Sequence, residues 1–279
     1  MADITRKEIE RRVNRRESLK EIDMTGLNLN EFNFEGAIFY KCKFSGSKLN
    51  NSHFSFSRFE RCLLNDCEMH DCHFQESSFV ECDLSKSSLC DSILKEVNFR
   101  QSILKGTDFS GSFFDNIILI DAEGSLCNFS FSTFTESNLT NSKFLVCDFN
   151  SCSAIGTKAT FADFTGSEFK GVKMDSSNLN NAKLSFCNFS EASLQKCDLS
   201  NAKLIFSLLV NSRLNSSNLK GVILFGAKAN GSELNNSILE NTNLTKADFS
   251  HSILNGSKMN EVLDYETNYD NASLKGVTR

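Results

Sequence analysis

The chain has 279 residues and a formal net charge of −5, with 26 phenylalanines, 11 cysteines and neither proline nor tryptophan. No run is long and apolar enough to cross a bilayer, and the charged start MADITRKEIERR leaves no place for the apolar core of a signal peptide. The composition argues against a membrane-spanning or Sec-exported protein, so a cytoplasmic location, or secretion by a route without a Sec signal, is expected.

Residues 1–18 read as a short N-terminal capping α-helix. Thr5 followed by Glu8 has the spacing of a capping box, and Ile4, Ile9 and Val13 share one face while Arg11, Arg12, Arg15 and Arg16 face water. From Leu19 a five-residue period takes over. Of the 52 positions reached by stepping in fives from Leu19 to Leu274, 47 carry a large apolar side chain, the exceptions being Gly124, Ala154, Ala159, Ala229 and Asp264. Two residues before each lies a small residue, as in Cys42-Lys43-Phe44-Ser45-Gly46.

A period of five suits neither a helix of 3.6 residues per turn nor a strand that alternates in twos. A chain that turns a corner every five residues does bury this pattern, because two residues of each unit then point inward and successive coils pair as in a parallel sheet. The register never slips, so residues 19–279 are read as a single solenoid. Ten of the cysteines (Cys42, Cys62, Cys67, Cys72, Cys82, Cys127, Cys147, Cys152, Cys187 and Cys197) occupy the small-residue phase. They are therefore buried core residues and not bridges or ligands. Only Cys90 falls outside that phase.

Segments such as Ala182-Lys183-Leu184, Cys197-Asp198-Leu199-Ser200-Asn201 and Ala247-Asp248-Phe249 resemble the pentapeptide-repeat family, whose motif is written A(D/N)LXX. The resemblance implies four units per coil, and hence an all-β fold: a right-handed quadrilateral parallel β-helix of about 13 coils, roughly 60 Å long at the usual ~4.8 Å spacing. Phe39, Phe59, Phe79 and Phe99 should then stack in one column, and Phe109, Phe129, Phe149, Phe169 and Phe189 in another. The repeat decays near Asp264, Tyr265 and Tyr269, so the last coil is expected to be frayed or covered by a partner. The small core residues around Ala154 and Ala159 leave space that Ile155 and Phe161 are expected to refill in part.

With four sides per coil, outward residues can be assigned by arithmetic. The side centred on Leu29 and its successors carries ten acids, Glu31, Glu68, Asp71, Asp91, Asp108, Asp148, Glu168, Glu191, Asp248 and Asp270, against Lys48, Lys170 and Lys228. The side centred on Met24 and its successors carries outward apolar residues: Leu126, Leu145, Val146, Phe186, Ile205, Phe206, Phe225 and Tyr265. Such clusters mark contact sites.

His53 and His73 share an outward phase about 5 Å apart, with His70 and Asp71 nearby, but no further ligands are evident and no metal or cofactor is expected. Nor does the pattern supply a phosphate-cradling loop, a carboxylate pair or a nucleophile beside a base. The expected role is that of a non-catalytic interaction scaffold or adaptor holding a protein partner through its apolar side, with homodimerisation through that side or the last coil as a further expectation and no direct binding to nucleic acid. The leader Thr5-Arg6-Lys7-Glu8-Ile9 followed by Ile22-Asp23-Met24-Thr25-Gly26-Leu27 is similar to that of pentapeptide-repeat proteins associated with bacterial type VI secretion, which implies a link to secretion. The alternative is a DNA mimic. Runs such as Cys42-Lys43-Phe44-Ser45-Gly46-Ser47 resemble the quinolone-resistance members that protect gyrase, although ten carboxylates over roughly 60 Å is sparse beside one duplex phosphate per ~1.7 Å.

Overall fold

The computed structural model describes residues 3–279, which gather into two compact units, one ending at Asn138 and the other running from Leu139 to Arg279. Both are made of the same five-residue side. In the first unit, Met24 points inward with Gly26 in the left-handed region at φ +69°, and the Leu27 N–H donates to the Met24 carbonyl at 3.3 Å, closing a β-turn of the type that needs a positive φ at its third residue. The same positive φ returns at the second residue after each large apolar one, as at Glu31, Gly36, Lys41 and Gly46. This corner conformation is comfortable for Gly and tolerable for Asn, which recur there, although Glu is as frequent as Asn.

Successive coils are joined by backbone hydrogen bonds. The Met24 N–H donates to the Lys43 carbonyl at 2.7 Å, and the Lys43 N–H donates to the Ile22 carbonyl at 3.0 Å. Parallel bridges link each residue to the one twenty positions on: Asp23, Lys43, Leu63, Asp83 and Ile103 in the first unit, and Asp163, Lys183, Lys203, Ile223, Asn243 and Leu263 in the second. Twenty residues at five per side make four sides, so each unit is a right-handed quadrilateral parallel β-helix. Where pairing is extensive it registers as a sheet: β1 (Leu19–Lys20), β2 (Ile38–Tyr40), β3 (Arg58–Glu60) and β4 (Ser78–Val80) lie side by side in chain order.

The interior is the expected set of columns. Phe39, Phe59, Phe79 and Phe99 stack with centroid separations of 4.6, 4.6 and 5.4 Å, and Phe149, Phe169 and Phe189 of the second unit with 4.7 and 4.6 Å. The small-residue position has a polar duty besides its size. Ser47 Oγ donates to the Met24 carbonyl at 2.8 Å, and Cys67 and Cys72 offer their thiols in the same way to Phe44 and Leu49 at 3.0 and 3.1 Å. Cys187 and Cys197 repeat the bond to Phe164 and Met174, both at 3.0 Å. Ser and Cys thus alternate because each is a small donor that gives the carbonyl of the previous coil a second hydrogen bond beside that of its own turn. All eleven cysteines are free, ten of them buried. Burial pushes the thiols of Cys67, Cys72, Cys187 and Cys197 up to about 12.

Helix α1 (Arg6–Asn14) covers the first coil with Ile9 and Val13, and Thr5 accepts from the Glu8 N–H at 3.3 Å. Two expectations for this cap need correction. Glu8 does not complete a capping box; its carboxylate instead holds Arg11 and Arg12, whose guanidinium groups bring its pKa down to about 2. Arg12 is accordingly half-buried and not a free solvent-facing charge. Arg6 pins the helix by donating to the Asn28 and Asn30 carbonyls at 3.3 and 2.9 Å while lying over the Phe32 ring.

Elsewhere, Ile155 and Phe161 turn outward at 41% and 59% exposure and do not refill the space beside Ala154 and Ala159. The last coil is regular and not frayed: the Met259 N–H donates to the Thr278 carbonyl at 2.7 Å, and the inward Asp264 is met by Arg279 at 3.7 Å.

Candidate functional site

The acidic side separates into five carboxylates per unit. Many of them are engaged locally. Asp108, Asp148 and Asp248 each accept a hydrogen bond from the backbone N–H two residues ahead, at 3.0, 2.8 and 2.9 Å. Glu68 lies 3.6 Å from Lys48, and Glu191 lies 3.4 Å from Lys170. Glu168 accepts from Asn188 at 2.8 Å. In the second unit the acidic row is also broken, because the coil holding Leu208 and Val210 and the coil holding Lys228 contribute no acid to this side. Glu31, Asp71, Asp91 and Asp270 are exposed.

Midway along the acidic side of the first unit, the Cys90 thiol meets Nδ1 of His70 and the Ser88 hydroxyl. Partial burial raises the thiol pKa, and the charges of Asp91, Asp108 and Asp71 add to that rise. His53 and His73 stack face to face at 4.9 Å, which turns ring faces rather than nitrogen lone pairs toward one another. Their column continues into exposed Ile93 and Phe113, an extension the sequence reading did not single out.

The apolar side is more cohesive. In the second unit Phe186 and Phe206 stack at 5.9 Å, and Phe225 meets Phe206 edge-on at 5.5 Å. The Phe206 ring lies flat over Gly226, where any Cβ would collide with it. Val146 leans in the same direction over Gly166. Phe186, Val146 and Phe206 are 62%, 58% and 49% exposed, whereas Leu145, Ile205 and Phe225 are half-buried between neighbouring coils. Tyr265 is exposed two coils beyond Phe225, and Leu126 is exposed in the first unit.

Three members escaped the sequence reading. Ile223 precedes Phe225 on the same side, and Leu208 and Val210 lie just around the corner from Phe206; all three are half-buried. Counting residues side by side assigned Leu208 and Val210 to the acidic side, although a corner separates them from Phe206 by only one or three residues.

The exposed members of this cluster stand on the regular corner position of the coil. Val146, Phe186 and Phe206 all occupy the left-handed corner, at φ +55°, +62° and +54°. A non-glycine residue there costs about 1–2 kcal/mol, and the position is most foreign to a β-branched side chain such as Val. Gly, Asn, Lys and Glu fill the same corner elsewhere, so the fold does not require exposed apolar side chains there. Phe56, Leu126, Phe131 and Phe161 share the feature, but on other columns or in the other unit.

Comparison with known proteins points one way. Residues 15–89 match a family model described as a pentapeptide repeat region, and residues 82–121, 147–185, 182–221 and 223–260 match one described as pentapeptide repeats. Among solved structures, the chain is similar to HetL, a protein involved in heterocyst differentiation regulation in the cyanobacterium Nostoc sp. strain PCC 7120, at 19% identity and a TM-score of 0.46 over 84% of this chain and 96% of that one. It is also similar to a trypsin-treated form of QnrB1, a plasmid-mediated fluoroquinolone resistance protein, at 18% identity and a TM-score of 0.38 over 67% and 88% of the two chains. These likenesses concern the fold. A comparison with curated proteins returned no match.

Proposed function

The chain belongs to the pentapeptide-repeat family, and from that premise we propose that it is a non-catalytic docking protein, a scaffold or adaptor that holds a protein partner on the apolar surface around Phe206. The observation that carries this reading is the exposed stack of Phe186 on Phe206, with Phe225 edge-on beside it and Val146 on the same column. Polar residues fill the same corner in most coils, whereas a rigid aromatic cluster is the usual anchor of a protein interface. Side chains packed into the interior give the surface its rigidity, so a partner has little ordering to impose on it.

The alternative, an acidic surface that imitates DNA and engages gyrase, draws support from the exposed Asp71 and Asp91 on neighbouring coils of the first unit. It is the weaker reading, because carboxylates turned back onto their own backbone or paired with lysine present little free charge. Affinity purification with the native protein and with Phe206→Asp and Phe225→Asp variants, alongside a gyrase supercoiling assay, separates the two. Loss of specific partners in the aromatic variants supports docking. Gyrase inhibition or protection that survives those substitutions and disappears in Asp71→Asn/Asp91→Asn rejects it in favour of mimicry.

A further inference from the structure

The charges bordering the aromatic cluster constrain its occupant. On the Phe206 side of the second unit, Lys143, Lys183, Lys203 and Lys246 stand against Asp163 and Glu266, the reverse of the chain's acidic balance. Lys183 is matched by Asp163 at 3.0 Å and Lys246 by Glu266 at 3.8 Å. Lys203 and Lys228, exposed on opposite flanks of the Phe206–Phe225 pair, make no ion pair among the described residues. Asp248 stands one coil beyond Lys228, and Lys203 has lysine and isoleucine before and after it in its column, so the net charge bordering the cluster is cationic on the Lys203 flank.

Backbone hydrogen bonding narrows the occupant's conformation. On the flank of a β-helix every strand is already paired to the coil before and the coil after, as the Phe206 N–H is to the Phe225 carbonyl at 2.9 Å. An extended peptide laid there finds no ladder to join, so its own N–H and C=O groups would lose water without replacement. A helix satisfies them internally. Its dimensions also match: the column from Val146 to Gly226 covers four coil steps, about 19 Å at ~4.8 Å each, which is the length of roughly 13 helical residues. The ~5.4 Å helical pitch stays close to the coil spacing over that distance, so apolar residues one turn apart meet successive coils.

We propose that the surface formed by Val146, Phe186, Ile205, Phe206 and Phe225, flanked by Lys203 and Lys228, receives an acidic amphipathic helix of a partner protein. This rests on the docking reading above and adds the partner's conformation and charge. The apolar stripe of the helix covers the aromatic cluster, and its acidic margins meet the two lysines.

The test is a selection of 16-residue peptides, displayed from a library without charge bias, against the full chain, with counter-selection on the Phe206→Asp variant. The expected winners carry apolar residues at i, i+3 or i+4, and i+7 and a net negative charge. A synthetic winner, followed by fluorescence anisotropy, should bind about tenfold more weakly to Lys203→Glu/Lys228→Glu, and its charge-reversed version should bind that variant better than the native chain. Winners that are basic or neutral, or affinity unchanged by the double lysine reversal, overturn the proposed charge while leaving docking at Phe206 intact. Winners lacking the helical spacing overturn the helix. If no peptide depends on Phe206, the docking reading falls with the proposal. If vesicles of phosphatidylserine and phosphatidylcholine bind through Phe206 and Lys203 while no peptide does, the surface faces lipid and the proposal is wrong.

Discussion

Replacing Val146 with Asn should make the protein more stable, although it removes an apolar side chain. Val146 is 58% exposed, so roughly two fifths of the side chain is removed from water on folding. At about 1.5–2 kcal/mol for full burial of valine, its loss costs about 0.7 kcal/mol. Against this, the residue sits at φ +55°, where a β-branched side chain is most disfavoured, at about 1–2 kcal/mol, and where Asn is well tolerated. The Val146 N–H keeps its bond to the Thr165 carbonyl, so no backbone group is orphaned. The balance favours Asn by about 0.5–1 kcal/mol. Urea unfolding followed by circular dichroism should show a higher midpoint at unchanged slope, together with weaker partner binding. A lower midpoint would show that Val146 serves the fold, and the reasoning that a β-branched residue is the poorer choice at this corner would fail.

Thiol reactivity provides a second check: a disulfide reagent at pH 8 should modify one cysteine of the folded chain, Cys90, and the other ten only on unfolding, with Cys90→Ser removing the early signal. Phe59→Ala, which empties a ring position stacked at 4.6 Å on both neighbours, should cost about 3–5 kcal/mol in chemical unfolding. Cys197→Ser should be nearly neutral because a hydroxyl can take over the bond to the Met174 carbonyl, and Cys197→Ala should lower stability by only about 0.5 kcal/mol, because that carbonyl keeps its turn bond from the Ser177 N–H at 3.1 Å. Glu8 has a pKa depressed from 4.5 to about 2, so its contribution to the stability of the cap helix through Arg11 and Arg12 is complete above pH ~4.5 and fades as pH falls toward 2. Hydrogen exchange in α1 should quicken across that window, and Glu8→Gln should flatten the dependence.

The coil was legible in the sequence because a five-residue period admits few ways to bury its apolar positions. Met24, Phe44 and Leu64 recur in a phase that only a corner every five residues can turn inward, and the same arithmetic set the stacked phenylalanines and buried cysteines. What the period cannot express is the direction and partner of an outward side chain. Asp108 and Asp148 count as surface charge in the sequence, but each is drawn onto its own turn backbone, and Glu8 turns to Arg11 and Arg12 rather than to the start of its helix. Leu208 and Phe206 fall on different sides by count, yet only Ser207 separates them along the chain. Burial follows from the pattern because hydrophobic transfer is non-directional, whereas hydrogen bonds, ring contacts and backbone strain depend on angles and short distances that exist only once the coils have stacked.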